Sequence, residues 1–383
     1  MKENIKKILP LGYKANGLSC GIKKSGKPDL CLIISQNPAQ AIGLFTANKI
    51  TSGSVKLAQA NLKKSRQFRS IIANSGNANC FSINDSFLMA KQVVKELSSQ
   101  LKIKASEILI ASTGIIGKSL PVERIKKALP ELIMGLSKSG LLKSAQAIMT
   151  TDTFVKASVA LTNIAGKPVT VCGIAKGAGM IAPNLGLPKA TMLCFILSDA
   201  NIRRDALGAA LLKAVELSFN SITVDGCMST NDSIFLMSNS FAANPRISRG
   251  GVNFEKFSCA LNYVCLDLAK MIVKDAEGSS KFIRIQVKQA KNYGEAKKVA
   301  LSIANSDLFK TAIYGKSRNL GRIVAAVGAS GVDVKERKLR ITLSSLYKKD
   351  VFLEVGLSRG NAQATVYTSD LTTEYIKINA AYS

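Results

Sequence analysis

Lys176-Gly-Ala-Gly-Met-Ile-Ala-Pro-Asn-Leu-Gly-Leu-Pro-Lys-Ala-Thr191-Met-Leu-Cys-Phe-Ile-Leu197 is the stretch around which the rest of the chain is organised. A polar loop punctuated by glycines and two prolines runs into Ala190, and an apolar run begins at Met192, directly after Thr191. That sets one hydroxyl at the mouth of a buried strand. Gly/Pro loops ending at an apolar strand are common, so taken alone the stretch reads first as an ordinary loop. The chemical reading makes Thr191 a nucleophile once the peptide bond before it is cut. The freed α-amine, with a pKa of about 8, then serves its own hydroxyl as general base.

Composition narrows the chemistry. The chain contains 0 histidines, which excludes Ser-His-Asp and Cys-His catalysis and any histidine-ligated zinc site. Its 383 residues suffice for two or three domains, and 47% hydrophobic with 20% charged residues fits a globular protein. Met192–Leu197 is the longest apolar run, far short of the roughly 20 residues a membrane helix needs, so no membrane segment is expected. The basic N-terminus lacks the apolar core of a secretory signal, and a cytoplasmic location is the default expectation. Eight cysteines, with no CxxC pair and mostly within apolar segments, read as core thiols and not as a disulfide framework or metal site.

The net charge of +28 raises nucleic acid as a partner. The basic residues are spread as pairs, among them Lys6-Lys7, Lys23-Lys24, Lys126-Lys127 and Lys348-Lys349, without a single stripe, zinc finger or RNP-like motif. Solvated basic faces, attracting anionic substrates at most, explain the charge better.

Along the chain, Leu30–Ile34, Ala41–Phe45, Ser70–Ala73, Glu107–Ala111, Ala157–Leu161 and Pro168–Ile174 read as short strands. Asn74-Ser-Gly-Asn-Ala-Asn79 reads either as a plain turn or as a polar wall of a site. Ser112-Thr113-Gly114 follows a strand as a glycine-flanked turn able to offer backbone N–H groups to an oxyanion. Helical spacing appears after Asp85, over Leu120–Leu142, after Asp205, and through Leu261 to Ile272. Gly278 marks a helix C-cap that positions Glu277. Ser218–Asp232 looks strand-like. From about residue 285 strands alternate with helices, indicating a smaller α/β unit.

Taken together and in order, Thr46-Ala-Asn48, Asn74–Asn79, Ser112-Thr-Gly-Ile-Ile-Gly117, Thr150-Thr-Asp-Thr153, Lys176-Gly-Ala-Gly-Met180, Ala190-Thr-Met192, Ile222-Thr-Val-Asp-Gly226, Ser229-Thr-Asn-Asp232, Glu277-Gly278 and Gly321-Arg-Ile323 resemble the ornithine acetyltransferase family, also called glutamate N-acetyltransferases or arginine-biosynthesis bifunctional proteins. The resemblance spans essentially the whole chain.

The resemblance implies an α/β fold of stacked β-sheets flanked by helices, as in amino-terminal-nucleophile-like aminopeptidases. It implies self-cleavage between Ala190 and Thr191 into an α chain (1–190) and a β chain (191–383), which remain associated as a heterotetramer of two each. Thr191 is the matching nucleophile, Thr113 and Gly114 the oxyanion hole, and Thr150, Lys176, Thr191, Glu277 and Asn379 the substrate contacts. The implied reaction moves acetyl from N2-acetyl-L-ornithine to L-glutamate in ping-pong fashion. No metal or cofactor is implied, and acetyl-CoA is left open as a co-substrate. A threonine aminopeptidase or amidase of the same architecture is the competing enzyme, and a nucleic-acid-binding protein the non-enzymatic alternative. The chain departs from the family pattern in a longer loop before Thr191, in Asp225-Gly-Cys-Met228, at Leu320, and in ending at Ser383, one residue before the family's last substrate contact.

Overall fold

The computed structural model describes residues 8–182 and 192–381, so Ala190, Thr191 and Ser383 lie outside the described residues. The chain divides into two compact units. The first holds residues up to 177 together with 192–219 and 228–268, and the second holds 178–182, 220–227 and 269–381.

In the first unit, eight strands are joined by hydrogen bonds: β1 (Tyr13–Leu18), β2 (Leu30–Phe45), β3 (Phe68–Asn77), β4 (Ile108–Ile115), β5 (Lys156–Ile164), β6 (Lys167–Lys176), β7 (Leu193–Ser198) and β8 (Ser233–Ser238). Their order is β4-β3-β2-β8-β7-β6-β5, with β1 also on β2. The 16-residue β2 joins two halves of this path. Leu30–Ile34 pairs with β1 and β3, whereas Gln40–Phe45 pairs with β8. The ladder slips between Ile34 and Ala39, a segment containing Pro38, which has no N–H to donate.

Period-2 alternation sorts side chains between two cores. Ile71, Ala73, Leu109 and Ala111 from one half share a buried cluster with Ile174, Phe195, Leu197 and Phe235 from the other, so the two halves stack face to face. Phe195 stacks on Phe235 at 5.6 Å between ring centroids, and Phe45 meets Phe235 edge-on at 5.9 Å. Each such buried ring contributes about 1.5 to 3 kcal/mol through area removed from water. The alternate residues Leu30, Leu32, Ile72, Ile108 and Ile110 face helices α1 (Gly53–Lys64), α2 (Ser86–Leu101) and α3 (Val122–Met134). Helix α4 (Leu141–Ile148) sits within the inner core. On the opposite outer face, α5 (Arg204–Leu217) rides over β2, where Gly208 lies close to Ile42, and α6 (Gly251–Lys274) covers Gly173 with Val264 and Leu268. The result is the expected layering of helices, two sheets and helices.

The second unit has its own four-stranded sheet, in the order β10-β11-β9-β12, from β9 (Phe282–Ala290), β10 (Arg340–Leu343), β11 (Asp350–Gly356) and β12 (Ala362–Ser369). Ile283, Ile285 and Val287 pack with Val299, Ala300 and Ile303 of α7 (Tyr293–Ala304). Helices α8 (Asp307–Tyr314), α9 (Leu320–Gly328) and α10 (Thr373–Ala381) complete it among the described residues. No helix of the described residues is long and apolar enough to cross a membrane.

Several local expectations change. The two strands expected within 30–45 are one. The expected helix over Leu120–Leu142 is two helices with Gly135 and Gly140 between them, because Gly140 lies so close to the Ala15 carbonyl that no Cβ fits there. Ser218–Asp232 forms no strand, holding a 3-10 turn at Phe219–Ser221 and a single bridge from Ile222 to Tyr367. Cys31, Cys80, Cys172, Cys194 and Cys265 are core thiols, whereas Cys227 and Cys259 are exposed.

Candidate active site

Two parallel strand ends build the first part of the site. Ser75 of β3 pairs with Thr113 of β4, and Gly76 with Gly114. Just beyond, the register slips, with Asn77 partnering both Thr113 and Ile115. Gly114 has φ +132, and a Cβ there would run into the Gly76 carbonyl carbon and Asn77 N, so only glycine lets the strands approach this closely. Thr113 and Gly114 are thus the half-buried end of a strand and not a separate turn.

The asparagines between 74 and 79 hold this end in shape. Ser112 Oγ donates to Asn74 Oδ1 at 2.6 Å, Asn74 Nδ2 to the Asn77 carbonyl at 2.9 Å, and Asn79 Nδ2 to Ser54 Oγ at 3.2 Å. Asn231 Nδ2 reaches the Ala78 carbonyl at 2.5 Å and the Ser112 carbonyl at 2.8 Å. Buried amides with their bonds made are structural, and of these only Asn79 keeps an unpartnered oxygen, its Oδ1. The plain turn does not describe them, since β3 itself continues through Asn77.

The second part centres on Asp152, a residue to which no role was assigned from the sequence. Its Oδ1 accepts from Lys156 Nζ at 2.6 Å and from Gly177 N at 2.7 Å, and its Oδ2 from Thr150 N at 2.8 Å. Both side chains of the Lys156–Asp152 pair are 0% exposed. Burial pushes the Asp152 carboxyl upward, but the charges of Lys176 and Lys156 and these hydrogen bonds outweigh it and hold the pKa at about 2. Thr150 and Lys176, both expected substrate contacts, are therefore brought together by one carboxylate. Lys176 is itself buried and ends β6, where its register partner is Leu193 of β7.

Lys23 links the two parts. Its side chain lies against Gly76, and its Nζ donates to the Pro28 carbonyl at 2.7 Å. Burial lowers its pKa to about 8, with Lys176 adding to the fall while Asp29 and Asp152 oppose it. In sequence it is one of many lysine pairs, and only the fold sets it beside Lys176. The four-residue spacing of Asp152 and Lys156 was the one local signal for the acid.

Glu277 and Asn379 fall in the second unit and are paired there. Asn379 Nδ2 donates to Glu277 Oε2 at 2.9 Å, and Glu277 N donates to the Ala178 carbonyl at 3.1 Å. A Cβ on Gly179 would collide with the Glu277 carboxylate. Helix α6 ends at Lys274, so Glu277 lies three residues past it and Gly278, with φ +63, in the turn beyond. Asp225 secures the neighbouring arm, accepting from Met180 N at 2.6 Å, Ile181 N at 2.9 Å and the Tyr375 hydroxyl at 3.3 Å.

Residues 14–348 match the family model described as the ArgJ family. The chain belongs to the ArgJ family. It is 40% identical over 97% of its length to the arginine biosynthesis bifunctional protein ArgJ of Geobacter sulfurreducens, 98% of which is covered. It is also 41% identical over 98% of its length to the glutamate N-acetyltransferase of Methanocaldococcus jannaschii, covering 97% of that protein. The solved arginine biosynthesis bifunctional protein argJ from Bacillus halodurans shares 38% identity and a TM-score of 0.48, covering 50% of this chain and 100% of that one. Membership in the ArgJ family agrees with the resemblance carried by the ordered motifs.

Proposed function

We propose that this protein is a self-processing acetyltransferase that moves acetyl from N2-acetyl-L-ornithine to L-glutamate in arginine biosynthesis. The observation that carries this reading is the buried Lys176 at the end of β6, close enough to Asp152 to depress its pKa and in register with Leu193, two residues after Thr191. A fixed cation beside the start of the β7 strand suits a substrate bearing an α-carboxylate. Family membership over nearly the whole chain supports the same substrates.

In this mechanism the Ala190–Thr191 bond breaks once, leaving two chains that assemble as a heterotetramer of two each. The Thr191 hydroxyl attacks the acetyl carbonyl while its α-amine takes the proton. The oxyanion is received by backbone donors at Thr113 and Gly114, whose loss typically costs about 3 to 4 kcal/mol of barrier. Collapse expels the ornithine α-amine, protonated as it leaves, and keeps the acetyl group as a threonine ester. The amine of glutamate attacks that ester and leaves as N-acetyl-L-glutamate, restoring Thr191. Lys176 and Thr150 hold the carboxylate end, and Glu277 with Asn379 receives an ammonium.

Intact mass of the purified protein tests the processing step: two fragments meeting at Ala190/Thr191 are expected. A persistent 40.8 kDa chain that still transfers acetyl would sink the mechanism. Thr191→Ala should abolish cleavage and transfer together. Incubation with acetylornithine should release ornithine in step with N-acetylglutamate when glutamate is present, and rapid release of free acetate without glutamate would point to a hydrolase instead. Acetyl-CoA offered as donor in the same assay tests it as a second source of the acetyl group.

A further inference from the structure

Away from these residues, the first unit carries a groove of about 770 Å³ on its outer helical face. The even-numbered residues of the second half of β2, Gln40 and Ile42, form its floor, and α5 contributes one wall with Gly208, Ala209 and Leu212. Five arginines line it: Arg66, Arg203, Arg204, Arg246 and Arg249, against the single acid Asp205. Over the whole chain, basic residues outnumber acidic ones by 53 to 25, so a ratio of five to one around one groove is more than the general basic excess.

The arginines are held in different ways. Arg204 donates to the Leu62 carbonyl at 3.0 Å and the Ser65 carbonyl at 3.4 Å, which fixes it to the end of α1. Asp205 braces two others, accepting from Arg203 Nε at 3.0 Å through its carboxylate and from Arg249 Nε at 3.2 Å through its carbonyl. Arg66 and Arg246 are exposed and make no such bond among the described residues. Burial, with the charge of Arg66 beside it, lowers the Arg204 pKa, a sign that like charges crowd here. Crowded guanidiniums relax when an anion sits between them, and their planar forks match phosphate oxygens in bidentate fashion. The volume falls in the range of pockets that take a molecule of nucleotide size. Ile42, Ala209 and Leu212 offer an apolar surface for a flat ring, and Gln40 an amide able to pair with its edge.

We propose that this groove binds a nucleoside di- or triphosphate, its phosphates gripped by Arg66, Arg203, Arg204, Arg246 and Arg249 and its base laid on Ile42 and Leu212. Arg203, Arg204 and Arg249 form a preset cradle, and Arg66 and Arg246 close over the ligand. Nothing in acetyl transfer from an N-acetyl amino acid uses this site, so the proposal stands apart from that reading.

Isothermal titration calorimetry on the full-length protein, with ADP, ATP, inorganic pyrophosphate and citrate in separate arms, tests it. Adenine nucleotides are expected to bind tighter than roughly 1 mM, and pyrophosphate at least several-fold more weakly. Arg66→Ser/Arg246→Ser, at two exposed positions that leave the core intact, should weaken binding roughly tenfold or more. Lys91→Ser/Lys95→Ser on α2 should leave it unchanged. The proposal is overturned if no nucleotide heat is seen at roughly millimolar concentration, if the two double variants weaken binding equally, or if citrate matches ATP. Equal affinity for pyrophosphate and ADP would overturn the nucleoside assignment. Nucleic acid that binds while mononucleotides do not would overturn the whole.

Discussion

Replacing Asp152 with asparagine keeps the shape of the side chain and deletes its charge. In the folded protein this carboxyl is held from its ordinary 3.8 to about 2. At about 1.36 kcal/mol per pH unit, that difference corresponds to about 2 kcal/mol of stability at neutral pH. Removing the carboxylate that faces Lys156, where neither side chain is exposed, adds a desolvation cost, and breaking one partner of a buried pair typically costs about 3 to 5 kcal/mol. Asp152→Asn should therefore lose about 3 kcal/mol in urea unfolding at pH 7. The depressed carboxylate contributes its stability above pH 3.8 and loses it as pH falls toward 2, so the gap between wild type and variant should narrow in acid. Asp152→Asn/Lys156→Met should recover part of the loss, because an apolar pair of similar volume is often neutral. In turnover, KM for acetylornithine should rise more than kcat falls, since Asp152 also neighbours Lys176 and positions the Thr150 amide. A loss under about 1 kcal/mol at pH 7, or a gap constant down to acid pH, would refute the electrostatic account of this cluster.

Gly114→Ala should reduce transfer by about 10²- to 10³-fold, because the added Cβ forces β3 and β4 apart where the oxyanion donors lie; near-normal kcat would show that those donors are not used. Lys23 discharges at about pH 8, so KM for an anionic substrate should climb above that pH in the wild type and stay flat in Lys23→Gln, and identical profiles would exclude it from the site. Its folded pKa lies below the ordinary 10.5, so Lys23 opposes folding below about pH 8 and that burden lifts as pH rises toward 10.5. Asp225→Asn should weaken bonds worth about 1.5 to 3 kcal/mol each to the Met180 and Ile181 amides. Hydrogen exchange at those two amides should accelerate at least tenfold, and unchanged protection would mean that the arm is held by other contacts.

Much of the architecture was readable because burial imposes a period. Ile71, Ala73, Leu109 and Ala111 alternate with Ile72, Ile108 and Ile110, and that alternation is a local property of the chain. The length of β2 was not readable, since Asn37-Pro38 signals a break and only pairing with β8 on the far side restores the strand. Thr113 and Gly114 read as a turn after the strand, because the pairing with Ser75 and Gly76 that extends β4 through them is long-range. Asp152 lay within a quoted motif, yet its role depends on Gly177 and Lys176, some 25 residues away in sequence. Lys23 was hidden in plain charge statistics. The five arginines of the outer groove come from three separate stretches, and nothing in any one of them sets it apart from the general basic excess.

The strand order of the first unit bears on what a break in the chain can do. β7 and β8, which follow residue 191, are flanked on one side by β6 and on the other by β2, which precede it. Six residue pairs join β6 to β7, and six join β2 to β8. The downstream piece is thus wedged into the upstream piece like a tenon between two cheeks, and no rigid motion parts them without opening two ladders and the shared aromatic core. A nicked molecule should migrate as two bands under denaturation and behave as one body otherwise. Neither piece, made alone, can complete the sheet of the first unit.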